Sequence, residues 1–368
     1  MRMALDHPKP TILIVEDEEG PRNALKIILR PFYELAITSN RHEALQALLT
    51  HPVDLVTLDL KLPDGYGLDL FHAIKRARRG VEIVVITGYG TLKSSQEAVR
   101  HGAAGYLLKP FNVAELIALI NHTLERKRRL DDLRGFLRSA QGLWMDARTA
   151  AGVWTQLRNR FSPPAPAHPA PVTSDQCAAD DLTLFSDLLE ASDHALLAHA
   201  RRVRDYASLL AAPLNLGPDD RRALTLGSFL HDIGYVAMDR WDGAPQDTCE
   251  ESDRADDLHP ALGAHMLKPL EIPESVLGII AHHHERYDGA GHPDGLTGDR
   301  IPLLARIVGI AETFDHLTVQ HGHPAVPFAE ACEQLGTLSG TALDPALVEL
   351  FLAHVGQLHP ARTISANV

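Results

Sequence analysis

Across the second half of this 368-residue chain, histidines and carboxylates follow one another in an order that could hold metal ions. They are His199, the pair His231-Asp232, His259, the run His282-His283-His284-Glu285, and Glu312. Of the 21 histidines in the chain, 12 fall between His194 and His323. Neutral imidazoles mixed with carboxylates suit Fe, Mn or Zn better than Mg or Ca. Two such ions that share a carboxylate can activate a water and stabilise both oxygens of a phosphoryl displacement. Asp232 closes the apolar run Leu226–Leu230 beside His231 and is the natural bridge. Met one at a time, His265, His292, His316, His321 and His323 read as packing or surface residues.

A different chemistry lies in the first half. Glu16-Asp17, Asp59, Thr87 and Lys109 each end a short apolar run: Thr11–Val15, Leu55–Leu58, Glu82–Ile86 and Gly105–Leu108. Helical patterns alternate with these runs over Pro21–Leu29, Arg41–Leu49 and Ser94–Arg100. Strands alternating with helices predict a parallel sheet covered on both faces, with its ligand site at the carboxyl ends of the strands. Clustered carboxylates repel unless a hard cation sits among them, and Mg²⁺ suits that oxygen-rich set. A carboxylate there can attack a phosphoryl group while the cation and a lysine neutralise the developing charge.

The elements between the two sets read as helix, then linker. From Val113 to Phe161 the pattern predicts one long helix or two in tandem. Leu130, Leu133, Leu137, Ala140 and Trp144 follow steps of three and four. That spacing fits either a dimerising seam or a helix packed on its own domain. Residues 162–171 are dense in proline, which ends a helix and favours an extended linker. The predicted division is 9–125 for the first domain, 126–179 for the helical and Pro-rich linker, and 180–368 for a mostly helical second domain.

The first set of residues resembles the receiver domain of two-component response regulators. The resemblance implies a five-stranded parallel, flavodoxin-like α/β fold that binds Mg²⁺ and takes its phosphoryl group from a histidine kinase. It makes Asp59 the phosphoacceptor, Asp17 the direct Mg²⁺ ligand and Glu16 the outer acid. Thr87 and Lys109 would hold the phosphoryl group, Tyr106 would be the aromatic switch residue, and Lys109-Pro110 would be cis.

The second set resembles the HD-GYP family of the HD phosphohydrolase superfamily, an all-α fold. The most specific stretch runs from His283 to Leu296, followed by Gly298, Ile301-Pro302 and Ala305-Arg306-Ile307. The resemblance implies metal ligands at His199, His231, Asp232, His259, His283, His284 and Glu312. It implies two transition-metal ions, Fe or Mn first, with Zn or Ni as alternatives. Asp232 would bridge them and bind the nucleophilic hydroxide. Arg306, Tyr235, Gly289 and His292 fall at substrate-facing positions, although Arg306 could equally be an ion-pair partner. The implied activity is hydrolysis of cyclic di-GMP to pGpG or GMP, controlled by phosphorylation of Asp59.

The sequence departs from that family in four places. Gly291-His292-Pro293 stands where Gly-Tyr-Pro is usual, and Tyr235 stands where a lysine would neutralise a substrate phosphate. Glu312 replaces an aspartate, with Asp315 one turn on able to compensate. Ala195 stands where some members carry a glutamate, so a third metal ion is not expected. Two further readings follow: a degenerate domain that senses a nucleotide or binds a protein, and a hydrolase for another cyclic nucleotide.

Net charge of -13 argues against a nucleic-acid surface, which needs clustered Lys and Arg. Three dispersed cysteines, Cys177, Cys249 and Cys332, fit a reducing cytoplasm. No apolar stretch reaches membrane-spanning length and no signal peptide is evident. A homodimer through the helix near 113–161 is a further expectation.

Overall fold

The computed structural model describes residues 9–78, 80–88, 102–140, 142–161, 174–238, 249–319 and 325–358. The chain divides into two compact units, 1–131 and 132–368. The predicted helix Ser94–Arg100, the proline-dense 162–171 segment, His321 and His323 lie outside the described residues.

The first unit is a parallel sheet of β1 (Thr11–Val15), β2 (Glu34–Thr38), β3 (Leu55–Leu58), β6 (Glu82–Thr87) and β7 (Gly105–Leu108), in the order β2-β1-β3-β6-β7. Two-residue strands β4 (Lys61–Leu62) and β5 (Gly65–Tyr66) form a small antiparallel pair after β3. Alternate side chains of each strand serve opposite faces. Leu13 and Val15 pack with Ala44, Leu48, Phe71 and Ile74, from α2 (Arg41–Thr50) and α3 (Gly67–Ala77). Ile12 and Ile14 pack on the other face with Leu25 and Leu29 of α1 (Glu19–Leu29) and Leu116, Ile120 and Leu124 of α4 (Val113–Ser139). Both faces are therefore covered, and only the strand ends remain for chemistry. The Lys109-Pro110 bond is cis, as the resemblance implies.

The expected long helix is two helices, α4 and α5 (Ala147–Phe161), separated by Gly142 in a left-handed conformation (φ 76°) and a short 3₁₀ turn. All five seam residues, from Leu130 to Trp144, are buried within the single chain. The spacing thus marks a helix packed on its own chain, and residues expected in the linker belong to the second unit from Asp132 onward. Trp154 of α5 donates from Nε1 to the Met266 carbonyl at 2.7 Å, and its ring meets Trp144 and Phe185 edge-on.

The regular structure of the second unit is helical among its described residues, apart from one isolated β-bridge. After α5, its helices are α6 (Ser174–Ser192), α7 (His194–Ser208), α8 (Pro218–Leu230), α9 (Cys249–Leu267), α10 (Glu274–His282), α11 (Leu303–Thr318), α12 (Phe328–Thr337) and α13 (Pro345–His354). Two glycines set the closest approaches. A Cβ on Gly227 would lie 2.4 Å from Ile279 Cδ1, so α8 and α10 meet at that point. A Cβ on Gly234 would lie 2.0 Å from the His259 carbonyl oxygen. Glycine after His231-Asp232 therefore lets the short 3₁₀ segment 233–237 press onto α9 and bring His259 to Asp232.

Candidate functional site

In the first unit, Asp59 follows β3, is nearly buried, and accepts from the Lys61 backbone N–H at 3.0 Å. Lys109, just past β7, donates to Asp59 Oδ2 and to Glu16 Oε2, each at 2.6 Å. Thr87, at the end of β6, is fully buried. Burial raises the Glu16 pKa, with the Lys109 hydrogen bond opposing. Burial also works against the Lys109 charge, but its bonds to Asp59 and Glu16 prevail and hold its pKa above the ordinary value. Glu16 Oε1 is buried with no hydrogen-bond partner. An orphaned, desolvated carboxylate oxygen next to Asp17 and Asp59 is what a hard cation would satisfy, so these residues fit Mg²⁺. Tyr106 is half-buried against Leu60, Leu68 and Val85.

In the second unit, α7 supplies His199, the C-terminal end of α8 supplies His231 and Asp232, and α9 supplies His259. The end of α10 supplies His283 and His284, and α11 supplies Glu312. All seven converge. Asp232 sits at the centre. Its Oδ2 lies 3.5 Å from His199 Nε2 and 3.4 Å from His231 Nε2. Its Oδ1 lies 3.1 Å from His259 Nε2 and 3.8 Å from His283 Nε2. One carboxylate thus faces a histidine pair with each oxygen. Glu312 borders the same space, with His284 Nε2 3.7 Å from its Oε1.

Backbone contacts fix which ring nitrogen carries the proton. His231 Nδ1 meets the Ser228 carbonyl at 2.8 Å and His283 Nδ1 meets the Ile280 carbonyl at 2.9 Å. A carbonyl only accepts, so both rings are protonated at Nδ1 and present an Nε2 lone pair inward. Burial, first of all, keeps both imidazoles below their ordinary pKa and therefore neutral. Yet His231 Nε2 lies 3.2 Å from His199 Nε2, and His283 Nε2 lies 3.2 Å from His259 Nε2. Asp232 Oδ1 is buried without a hydrogen-bond partner. Burial would raise the Asp232 carboxyl, but the histidines gathered around it hold it well below the usual carboxylate range. Paired inward nitrogens around an ionised carboxylate are the donor set of a transition-metal centre.

The comparisons agree with both halves. Residues 12–121 match the response regulator receiver domain family, and residues 183–347 match the HD domain family. The chain carries a receiver domain followed by an HD domain. It is 27% identical to the cyclic di-GMP phosphodiesterase response regulator RpfG of Xanthomonas campestris, over 94% of this chain and 88% of that protein. It is 26% identical to a cyclic di-GMP phosphodiesterase of Thermotoga maritima, over 93% of this chain and 89% of that one. It is also 26% identical to a 3'3'-cGAMP-specific phosphodiesterase of Vibrio cholerae, over 66% of this chain and 56% of that one.

Beside the HD centre lies a cavity of about 360 Å³. His283, His284 and Glu312 line it on the centre's side, with His292, Arg306 and His316 around the rest. His292 stacks on His284 with ring centroids 5.0 Å apart. Arg306 donates to Asp299 at 2.7 Å and to Asp344 at 2.6 Å, so it is already an ion-pair partner. Tyr235 and Gly289 are not among the lining residues. Tyr235 instead stacks on His259, centroids 4.1 Å apart and 16° between planes. Gly289 has φ 83° and packs against Thr297, where a Cβ would lie 2.2 Å from its Cγ2, so its role is to allow the turn.

Two further residues of α11 lie next to the centre. Asp315 is an orienting partner of the centre: it is fully buried and lies 2.7 Å from His199 Nδ1. His316 is exposed, as a surface residue would be, yet it lies within reach of His199 and Glu312 and stacks parallel to His199 at 5.1 Å. The i,i+4 spacing from Glu312 was the available signal, because it places both side chains on one helix face.

Proposed function

We propose that this chain is a phosphorylation-controlled, metal-dependent phosphodiesterase that hydrolyses cyclic di-GMP to pGpG or GMP. One observation carries the reading: six ligand-type side chains gather around Asp232, whose two oxygens face separate histidine pairs. Two relatives that align along most of their length and most of this chain bear cyclic di-GMP phosphodiesterase names.

The residues fit two transition-metal ions, Fe or Mn by preference. His199, His231 and Asp232 would hold one, Asp232, His259, His283 and His284 the other, with Glu312 available between them. When bound, such ions supply a hydroxide nucleophile at neutral pH and neutralise phosphoryl charge. The chain's own contribution is to keep the His231 and His283 imidazoles neutral by burial, keep Asp232 ionised, and present the cavity beside them. His292 and Arg306 would meet the nucleotide, Arg306 through the face left open by its two acids.

In the receiver domain, Asp59 is the proposed phosphoacceptor, Asp17 and Glu16 the Mg²⁺-binding acids, and Thr87 and Lys109 the phosphoryl-binding pair, with Tyr106 responding. A histidine kinase would be the donor and the cytoplasm the location. Among the described residues no helix is long and apolar enough to cross a membrane. Domain limits near 9–125 and 180–368 enclose both matched segments. Because the seam is buried within the chain, a homodimer through 113–161 would use the outward faces of α4 and α5.

The test is hydrolysis by the purified full chain with Mn²⁺ or Fe²⁺, with and without a small-molecule phosphoryl donor. Cyclic di-GMP and 3'3'-cGAMP are offered separately and in competition. Metal-dependent turnover that responds to the donor and disappears in His231→Ala and Asp232→Ala is expected. A specific observation favours the second reading, a nucleotide sensor: Tyr235 replaces the phosphate-facing lysine and Arg306 is engaged by two acids. Tight binding without product would select it, and preference for 3'3'-cGAMP would reassign the substrate.

A further inference from the structure

Next to the His283-His284 pair, His282, Glu285 and Asp294 bring three ligand-type atoms within reach of one another. His282 is the last residue of α10, and Glu285 and Asp294 belong to the loop that follows. His282 Nδ1 is buried and has no hydrogen-bond partner. It lies 3.7 Å from Glu285 Oε1 and 3.9 Å from Asp294 Oδ2. Those separations are too long for hydrogen bonds. They are close to the spacing of two ligands on one tetrahedral ion, about 3.3–3.5 Å for bonds of about 2.0–2.2 Å.

Glu285 is prepared as a ligand. Its side chain is fully buried, and its two oxygens accept the Asp294 and Leu296 backbone N–H groups at 2.7 and 2.9 Å. Those donors fix its orientation and leave one lone pair on each oxygen. They are neutral, so a buried carboxylate charge still lacks a full cation. Asp294 is largely exposed, which leaves water access to a fourth position.

We propose that His282, Glu285 and Asp294 form a separate divalent transition-metal site, with Zn²⁺ as its first occupant. One imidazole, two carboxylates and an open position are within zinc's ligand range. The site would tie the end of α10 to the loop that carries Arg286, Gly291 and His292 into the cavity wall. It is independent of the two-ion centre, because it shares no ligand with it.

The test uses the full chain loaded with Zn²⁺, dialysed, and analysed for metal per chain, next to Asp294→Asn and His282→Gln. Each variant should hold one ion fewer than the parent, and crystals should give a zinc-edge anomalous peak between His282 Nδ1 and the two carboxylates. Asp294→Asn changes an exposed side chain, so loss of folding does not cloud the comparison. His231→Ala should keep this peak while losing ions at the other centre, which separates failure here from failure of the phosphodiesterase reading. Equal metal content in parent and both variants, with no anomalous peak at His282, would overturn the proposal and leave a plain histidine–carboxylate pair.

Discussion

The Nδ1 of His199 lies 2.7 Å from Oδ2 of Asp315, a fully buried carboxylate that also accepts from Arg202 Nε and Nη2 at 2.6 and 2.9 Å. The carboxylate thereby fixes the His199 ring and turns its Nε2 toward Asp232. Burial opposes a charged His199, yet the Asp315 bond and the nearby carboxylates raise its pKa. An outer carboxylate of this kind makes the imidazole a more basic ligand. Asp315→Asn is therefore expected to weaken metal binding about 10- to 100-fold. Titration with Mn²⁺ against a chromophoric chelator measures this, and an unchanged affinity would reduce Asp315 to a packing role.

Much of this was legible in the sequence, and the exceptions have physical causes. β1, β3, β6 and β7 stood out because each is a short apolar run with polar residues at its end. β2 is an edge strand with only partial burial, so its Glu34–Thr38 sequence carries no such run. The seam periodicity was real, but spacing alone cannot tell a partner chain from the chain's own helices. Histidine ligands were recognisable as an ordered set. Asp315 was visible only as a substitute for Glu312 and His316 only as a surface residue, because residues three and four along α11 from Glu312 share its face whether or not they reach the centre. The site at His282 needed the loop's fold, since Asp294 approaches only through the turn that Glu285 caps.

Glu16 gives a prediction for the receiver domain. Its pKa is raised by burial, so ionisation costs more in the folded than in the unfolded chain. Between the ordinary carboxyl value and the raised one, the folded state binds more protons, and its stability falls as pH rises through that window. Glu16→Gln removes the buried charge and can still accept from Lys109. Without Mg²⁺ at pH 7.5, the variant should melt at the same temperature as the parent or higher. It should also lose most of the stabilisation that Mg²⁺ gives the parent. Differential scanning calorimetry with and without Mg²⁺ checks both halves of the expectation.

Asp59 makes a narrower prediction. Its Oδ1 accepts the Lys61 amide and its Oδ2 accepts Lys109. Incubation with acetyl phosphate and Mg²⁺ should add one acid-stable, base-labile phosphoryl group per chain, seen as a shifted band on a phosphate-affinity gel. Asp59→Asn should remove the shift completely. Lys109→Ala should slow it and leave Asp59 without its cation. A shift that persists in Asp59→Asn would mean another acceptor.

Metal removal should make the HD domain acid-sensitive. His231 and His283 have pKa values pushed down by burial, so the folded domain refuses protons that the unfolded chain takes up at about 6.5. Stability therefore rises with pH across that range and falls as pH drops below it. His199 acts in the opposite sense: its raised pKa adds stability below 6.5 that is lost as pH climbs through the raised value. His292 is also pushed down by burial, and three depressed imidazoles against one raised predict a lower urea midpoint at pH 5.5 than at pH 7.5 in the presence of EDTA. A midpoint that does not move, or moves upward on acidification, would show that these imidazoles are not neutral in the metal-free fold.

Tyr235 offers the sharpest separation between catalyst and sensor. Its ring lies flat on His259, 4.1 Å between centroids, so it supports a ligand without offering charge to a phosphate. Tyr235→Phe keeps the ring and should leave metal content and turnover as in the parent. Tyr235→Ala removes the support and should release metal from the His259 side. Tyr235→Lys gives up the stacking but adds a cation where the resemblance places one. A charge-assisted contact of about 1.5 kcal/mol corresponds to roughly a tenfold change in binding. With cyclic di-GMP, Tyr235→Lys should therefore lower KM about tenfold, provided metal content is unchanged when measured on the same samples. A gain confined to KM would mean that the parent centre is competent and only under-binds its substrate. No turnover in either protein, with two ions bound in both, would leave the HD domain as a receptor.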